Sequence, residues 1–229
     1  MRLDRFIEST LSFSAQSVRE LFVQRLVQLN GVAISEGRGQ ISEFCHVVVD
    51  GKILQARTPI YVMLNKPKGC VSATTDKKNP TVLDLIDLPG KNQLHLAGRL
   101  DFNTTGLLLL TNDGRWSRKI TQPQQKIPKR YWVQTKDEIT AVHVQKFLEG
   151  FYFQFENLTT LPAQLEIISS HTAYLTIYEG RYHQIKRMFG FFNNEVVNLH
   201  RLSMGSIYLD VDLAPGKSRD LTAAEVIAV

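Results

Sequence analysis

The sequence predicts an α+β protein in two parts, a small helix-and-hairpin unit over residues 1–58 and a larger unit over 59–229 built around a mixed, largely antiparallel sheet. Three observations carry this expectation. Apolar residues recur at helical spacing near the start of the chain. Two tight-turn pairs, Asn30-Gly31 and Asp50-Gly51, then sit between short runs of β-formers. Beyond a polar, proline-ended connector, Gln55 to Pro59, strand-like runs outnumber helical ones.

Taken in order, Leu3, Phe6 and Ile7 mark one helix. After the Ser14-Ala15-Gln16-Ser17 break, Val18, Leu21, Phe22, Arg25 and Leu26 mark a second. Val27 to Leu29 and Val32 to Ile34 flank Asn30-Gly31, and Val47 to Val49 and Lys52 to Leu54 flank Asp50-Gly51, which is hairpin chemistry. The larger unit opens at Tyr61. Its expected strands are Tyr61–Asn65, Leu107–Thr111, Tyr131–Thr135, Ala163–Ile168 and Ala173–Tyr178, and its expected helices are Val142–Leu148 and Tyr182–Phe192. Gly216-Lys217-Ser218 lacks the earlier glycine of a phosphate-binding loop, since Val211 stands there, and reads as a loop before a terminal helix near Thr222 to Ile227.

Composition bounds the function. The 229 residues are 43% hydrophobic and 21% charged, which excludes disordered and collagen-like classes, and a formal charge of +5 favours a polyanionic partner. From Arg115 to Arg130 six basic side chains occur without an acid (Arg115, Arg118, Lys119, Lys126, Lys129, Arg130), with Trp116 and Tyr131-Trp132 interleaved; this spacing suits phosphate contacts and base stacking. Two cysteines without paired spacing point to neither a zinc cluster nor a disulfide framework, so no metal site is expected. The opening residues lack signal-peptide order, so the expectation is a cytoplasmic protein without membrane association.

One segment concentrates chemistry. Gly98-Arg99-Leu100-Asp101-Phe102-Asn103-Thr104-Thr105-Gly106 places an acid between an arginine and a glycine turn, and Leu107 to Leu110 follow as a buried strand. Asp101 thus stands where a rigid element meets a loop. On residue types alone a loop aspartate is more often a turn former or a solvated charge than a reactive group.

The Gly-Arg-Leu-Asp tetrapeptide, with its Thr-Thr-Gly turn and following strand, resembles the active-site motif of the pseudouridine synthases, which turn a uridine in RNA into its carbon-linked isomer. Lys129-Arg130-Tyr131 and Glu179-Gly180-Arg181-Tyr182-His183-Gln184-Ile185-Lys186 resemble that family's second and third motifs, and Leu199 matches a pocket leucine. The resemblance implies Asp101 as nucleophile, Tyr131 against the flipped uracil, Lys186 as the cationic partner of Asp101, and Arg99 assisting base flipping, with Leu199 and Arg181 contacting substrate. The isomerisation it implies needs no cofactor. Lys186 and Tyr182-His183 resemble the branch acting on small-subunit ribosomal RNA, which implies uridine 516 of 16S RNA as the target. The N-terminal helix-helix-hairpin resembles the RNA-binding domain named after ribosomal protein S-four, although Ser14-Ala15 and Arg25-Leu26 stand where that family commonly has Ser-Arg and Gly-Arg. The expected RNA contacts are Arg5, Arg19 and Arg25 there, and Arg118, Lys119, Lys129 and Arg130 in the larger unit. The expected partner is ribosomal RNA, free or in a partly assembled small-subunit particle, bound by a monomer. A large-subunit enzyme of the same kind and a noncatalytic ribosomal RNA-binding protein are the alternatives.

Overall fold

The computed structural model describes residues 1–229, and the chain divides into two compact units, Met1–Pro59 and Ile60–Val229. In the first, helices α1 (Leu3–Leu11) and α2 (Ala15–Val23) precede strands β1 (Val27–Leu29), β2 (Val32–Ala33), β3 (Val47–Val49) and β4 (Lys52–Gln55), which pair in the order β2-β1-β3-β4. Both helices follow from their patterning. Leu3 and Ile7, then Val18 and Phe22, recur one turn apart and are buried with Val27, Val47 and Val49. Ser14 caps α2 by accepting a hydrogen bond from the Ser17 amide at 3.1 Å, which is why the chain breaks and restarts there. Asn30 and Gly31, like Asp50 and Gly51, hold consecutive positive φ angles (50° and 83°, 48° and 74°), as two-residue hairpins require.

The second unit contains β5 (Tyr61–Lys66), β6 (His95–Ala97), β7 (Thr105–Thr111), α3 (Gly114–Thr121), β8 (Lys129–Thr135), α4 (Ala141–Glu149), β9 (Tyr152–Phe153), β10 (Leu158–Thr159), β11 (Gln164–Ser169), β12 (Thr172–Ile177), α5 (Gln184–Gly190), β13 (Val196–Met204), β14 (Ile207–Tyr208), β15 (Ser218–Asp220) and α6 (Ala223–Ile227). The main sheet runs β11-β12-β8-β13-β7-β5-β15. Every pairing along it is antiparallel except β13 with β7, so the sheet is mixed.

The leucine run explains how this sheet is buried. All four residues are inaccessible to solvent; Leu108 and Leu110 face one core with α4 and α5, while Leu107 and Leu109 face another with α3, so the strand reads as a continuous apolar run. No helix is long and apolar enough to cross a membrane.

Several boundaries differ from the sequence expectation. The helix expected over Tyr182–Phe192 spans Gln184–Gly190, because Tyr182 and His183 form a turn in which His183 adopts a left-handed φ of 48°. Ser218, expected in a loop, begins β15, whose Ser218 to Asp220 pair with Leu64 to Val62. Arg99 and Asp101 lie in the loop between β6 and β7, in keeping with the turn chemistry around them. The β15 pairing is decided by contacts with β5, remote in sequence.

Candidate active site

Asp101 is held by backbone contacts first. Lys66, the last residue of β5, is buried, and its ammonium donates to the carbonyls of Pro67 (3.1 Å), Asp101 (3.1 Å), Phe102 (3.2 Å) and Thr104 (3.0 Å). One lysine thus gathers the loop that carries the carboxylate. Burial lowers the Lys66 pKa, which the nearby Cys70 and Asp101 partly oppose. The Ser72 hydroxyl clamps the residue before Asp101, donating to the Leu100 carbonyl at 2.7 Å and accepting from the Leu100 amide at 3.1 Å. Gly106, at the loop's exit, pairs with Lys66 on one side and Arg201 on the other. Its φ of +100° and the 2.3 Å that would separate a Cβ from the Arg201 carbonyl oxygen leave room for glycine alone.

The carboxylate of Asp101 then meets two groups from the Gly180 to Lys186 segment. Lys186 Nζ lies 3.5 Å from Oδ2, and His183 Nε2 lies 3.5 Å from Oδ1. Both contacts lie at the outer edge of hydrogen-bond range in an open cleft, a spacing that commonly tightens when substrate excludes water. The segment has its own anchor. Glu179 is buried, and its carboxylate accepts from the Leu161 amide (2.9 Å), the Gln184 side chain (3.1 Å) and Arg181 Nε (2.9 Å), while Gln184 accepts from the Arg181 amide at 3.0 Å. A buried carboxylate with three donors is satisfied, so it fixes the turn that delivers His183 and Lys186.

A cleft of about 680 Å3 opens beside this group, and Arg99, Asp101, Lys129, Tyr131, Arg181, Lys186 and Leu199 all line it. Tyr131 is buried, flanked across the sheet by Leu175 and Arg201. Lys129 has its pKa pushed down to about 8 by burial and by the Arg201 charge, against the opposing pull of Glu179. Arg201 is itself buried and donates through Nε to the Leu107 carbonyl at 2.7 Å, tying β13 to β7 beneath the cleft.

Other expected contacts lie elsewhere. Arg130 alternates to the opposite sheet face from Tyr131, where it pairs with Glu166 at 3.1 Å and stacks 4.5 Å over Tyr174. Arg118 and Lys119 are exposed on α3, outside the cleft, and Lys119 donates to the Val229 carbonyl. Trp116, expected among base-stacking aromatics, is buried; its indole donates to the Val226 carbonyl at 3.0 Å and packs edge-on against Tyr61. Helical periodicity turns Trp116 and Ile120 inward and leaves their basic neighbours outside. Arg5, Arg19 and Arg25 are exposed in the first unit, where Arg5 pairs with Glu8 at 2.9 Å.

Lys66, Ser72 and Arg201 were not singled out by the sequence pattern, and Glu179 appeared only as the first residue of the third motif. The one available signal was Lys66, a charge closing the apolar run Tyr61-Val62-Met63-Leu64 and followed at once by proline.

A carboxylate and a cation brought together by distant segments, in a cleft also lined by an arginine and a buried tyrosine, define a site able to hold a planar base next to a nucleophile. The family comparison agrees with that class. A model of the RNA pseudouridylate synthases matches residues 60–190. The chain is 48% identical to the ribosomal small subunit pseudouridine synthase A of Pseudomonas aeruginosa, with 100% of each chain covered. It is 44% identical to the protein of the same name from Escherichia coli K12, again with 100% of each covered. A crystal structure of a pseudouridylate synthase aligns with a TM-score of 0.73 at 39% identity, covering 100% of this chain and 99% of the other. The chain belongs to the RNA pseudouridylate synthase family.

Proposed function

We propose that this enzyme isomerises one uridine of small-subunit ribosomal RNA, uridine 516 of the 16S molecule, to pseudouridine. The observation that carries the reading is the meeting of Asp101 with Lys186 at 3.5 Å in the cleft, in a chain whose full-length relatives bear small-subunit names. Asp101 serves as the nucleophile that helps break the bond between uracil N1 and ribose C1′ and is released as C5 bonds to C1′, C5 giving up its proton and N1 taking one up. Lys186 offsets the cost of holding that anion where the bound base displaces water. Tyr131 lies against the uracil, with Leu199 and Arg181 completing the pocket. Arg99, exposed at its mouth, fills the space the flipped base leaves, a task suited to a planar guanidinium. The ring turns and rebonds without net oxidation, so the protein groups suffice and no cofactor enters.

The first unit, read as an S-four-like domain, grips RNA through Arg5, Arg19 and Arg25, while Lys129 meets phosphate in the cleft and Arg118, Lys119 and Arg130 add weaker electrostatic attraction from outside it. The enzyme acts in the cytoplasm as a monomer on ribosomal RNA or a partly assembled particle.

The deciding experiment replaces Asp101→Asn and measures conversion and RNA binding together. Conversion is expected to fall by more than about a thousandfold with affinity held within about threefold. Equal loss of both in a folded protein would remove the catalytic assignment. Mapping pseudouridines in ribosomal RNA from cells lacking this chain identifies the target, and a missing large-subunit site would overturn the small-subunit choice.

A further inference from the structure

At the mouth of the cleft lies an aromatic pair that none of these roles uses. The rings of Tyr182 and His183 stack on one another, with centroids 3.9 Å apart and planes inclined by 19°. Neighbouring residues on extended backbone point to opposite sides, so this arrangement depends on the left-handed φ and ψ of His183, 48° and 31°. The two faces of the stack meet different surroundings. The His183 imidazole reaches toward Asp101, whereas Tyr182 is 76% exposed beside the same cleft.

The turn is braced from below. Arg187 holds Glu156 through both terminal guanidinium nitrogens (2.7 and 2.8 Å), lies 3.5 Å over the Phe153 ring, and donates to the Tyr182 carbonyl at 3.4 Å. An exposed ring on a braced turn loses little freedom when a second flat group lands on it.

We infer that Tyr182 and His183 form a stacking platform for a nucleobase flanking the target uridine, so that the tyrosine holds the base left in the strand while its neighbour enters the cleft. The inference rests on the proposed RNA substrate and deepens it. A flipped nucleotide leaves an adjacent base with one unstacked face, and an exposed aromatic ring next to the entry point replaces the missing partner. The imidazole between that ring and Asp101 ties the position of the flanking base to that of the nucleophile. Tyr182 is thereby a positioning residue, and Asp101 keeps the chemistry.

The test uses the full chain and a synthetic 16S RNA hairpin carrying the target uridine, with fluorescent 2-aminopurine placed at either flanking nucleotide. Binding to the unsubstituted protein is expected to quench one of the two probes. Tyr182→Ala should abolish the quench and weaken affinity about tenfold, whereas Tyr182→Phe should retain both. On a hairpin with an abasic site at that flank, Tyr182→Ala should bind as the unsubstituted protein does. Quenching unchanged in Tyr182→Ala, or Tyr182→Phe failing as badly as Tyr182→Ala, overturns the platform. The readouts are binding and fluorescence, so they are separate from turnover. If pseudouridine never forms yet the Tyr182-dependent quench persists, the failure lies with the proposed reaction and the platform stands.

Discussion

Two basic segments of this chain invite comparison, the tract from Arg115 to Arg130 and the turn from Glu179 to Arg187. The first is the richer in charge, with six cations and no acid, and it is the one whose composition suggests an RNA groove. Yet a helix and a strand disperse it. α3 sends Arg115, Arg118 and Lys119 outward, β8 turns Arg130 to the far face of the sheet, and Lys129 alone lines the cleft. The second segment carries its own acid and fewer cations, but a buried carboxylate organises it, and two of its side chains converge on Asp101. Linear charge density therefore measures attraction to a polyanion, while convergence on one carboxylate measures chemistry.

Substitutions can sharpen the contrast, beginning with the convergent segment. Lys186→Met should lower the single-turnover rate by about 100- to 1,000-fold, as expected when a preorganised charge beside a reacting group is removed, with modest change in RNA affinity. A rate within about threefold of the unsubstituted enzyme would show that the pairing of Lys186 with Asp101 has no part in catalysis.

Lys66→Met extends the comparison to the carbonyls that the lysine gathers. Removing a charged donor from buried acceptors should destabilise the protein by about 1.5–3 kcal/mol, measured by denaturant unfolding. The rate on bound RNA should fall as the Asp101 loop loosens. Reduced stability with the bound rate intact would mean that Lys66 supports the fold without aiming the carboxylate.

Lys129 is the one member of the basic tract inside the cleft, and its pKa separates it from the others. A value of about 8 means that the ammonium is charged below that pH and neutral above it, so its attraction for phosphate is present at about pH 7 and vanishes as pH rises to about 9. RNA affinity should accordingly fall over that interval in the unsubstituted enzyme and stay nearly flat in Lys129→Met. Parallel profiles for the two would assign the pH response to another group.

The smallest effect is expected on α3. The paired change Arg118→Ala with Lys119→Ala should leave turnover on bound RNA unaltered and weaken affinity about two- to fivefold, with the salt slope reduced by about 0.7 for each phosphate that is no longer neutralised. A collapse of turnover would make the dispersed tract part of the catalytic machinery and dissolve the contrast.

Much of the molecule was legible before folding because its determinants are local. The Asn-Gly and Asp-Gly pairs dictate hairpins through backbone sterics, Ser14 and Thr222 start helices by capping amides, and the leucine run can only be a buried strand in a protein without a membrane-length apolar stretch. The loop around Asp101 and its Gly-Arg-Leu-Asp signature belong to the same class, since turn chemistry is set by neighbours. The tertiary structure alone decided which charges meet. The parallel pairing of β13 with β7, the reach of Lys66 into a loop far along the chain, and the turn that carries His183 to Asp101 each join segments remote in sequence. Local propensity is blind to such contacts because their energy comes from long-range strand pairing and from satisfying buried charge, and neither is present until the chain has closed on itself.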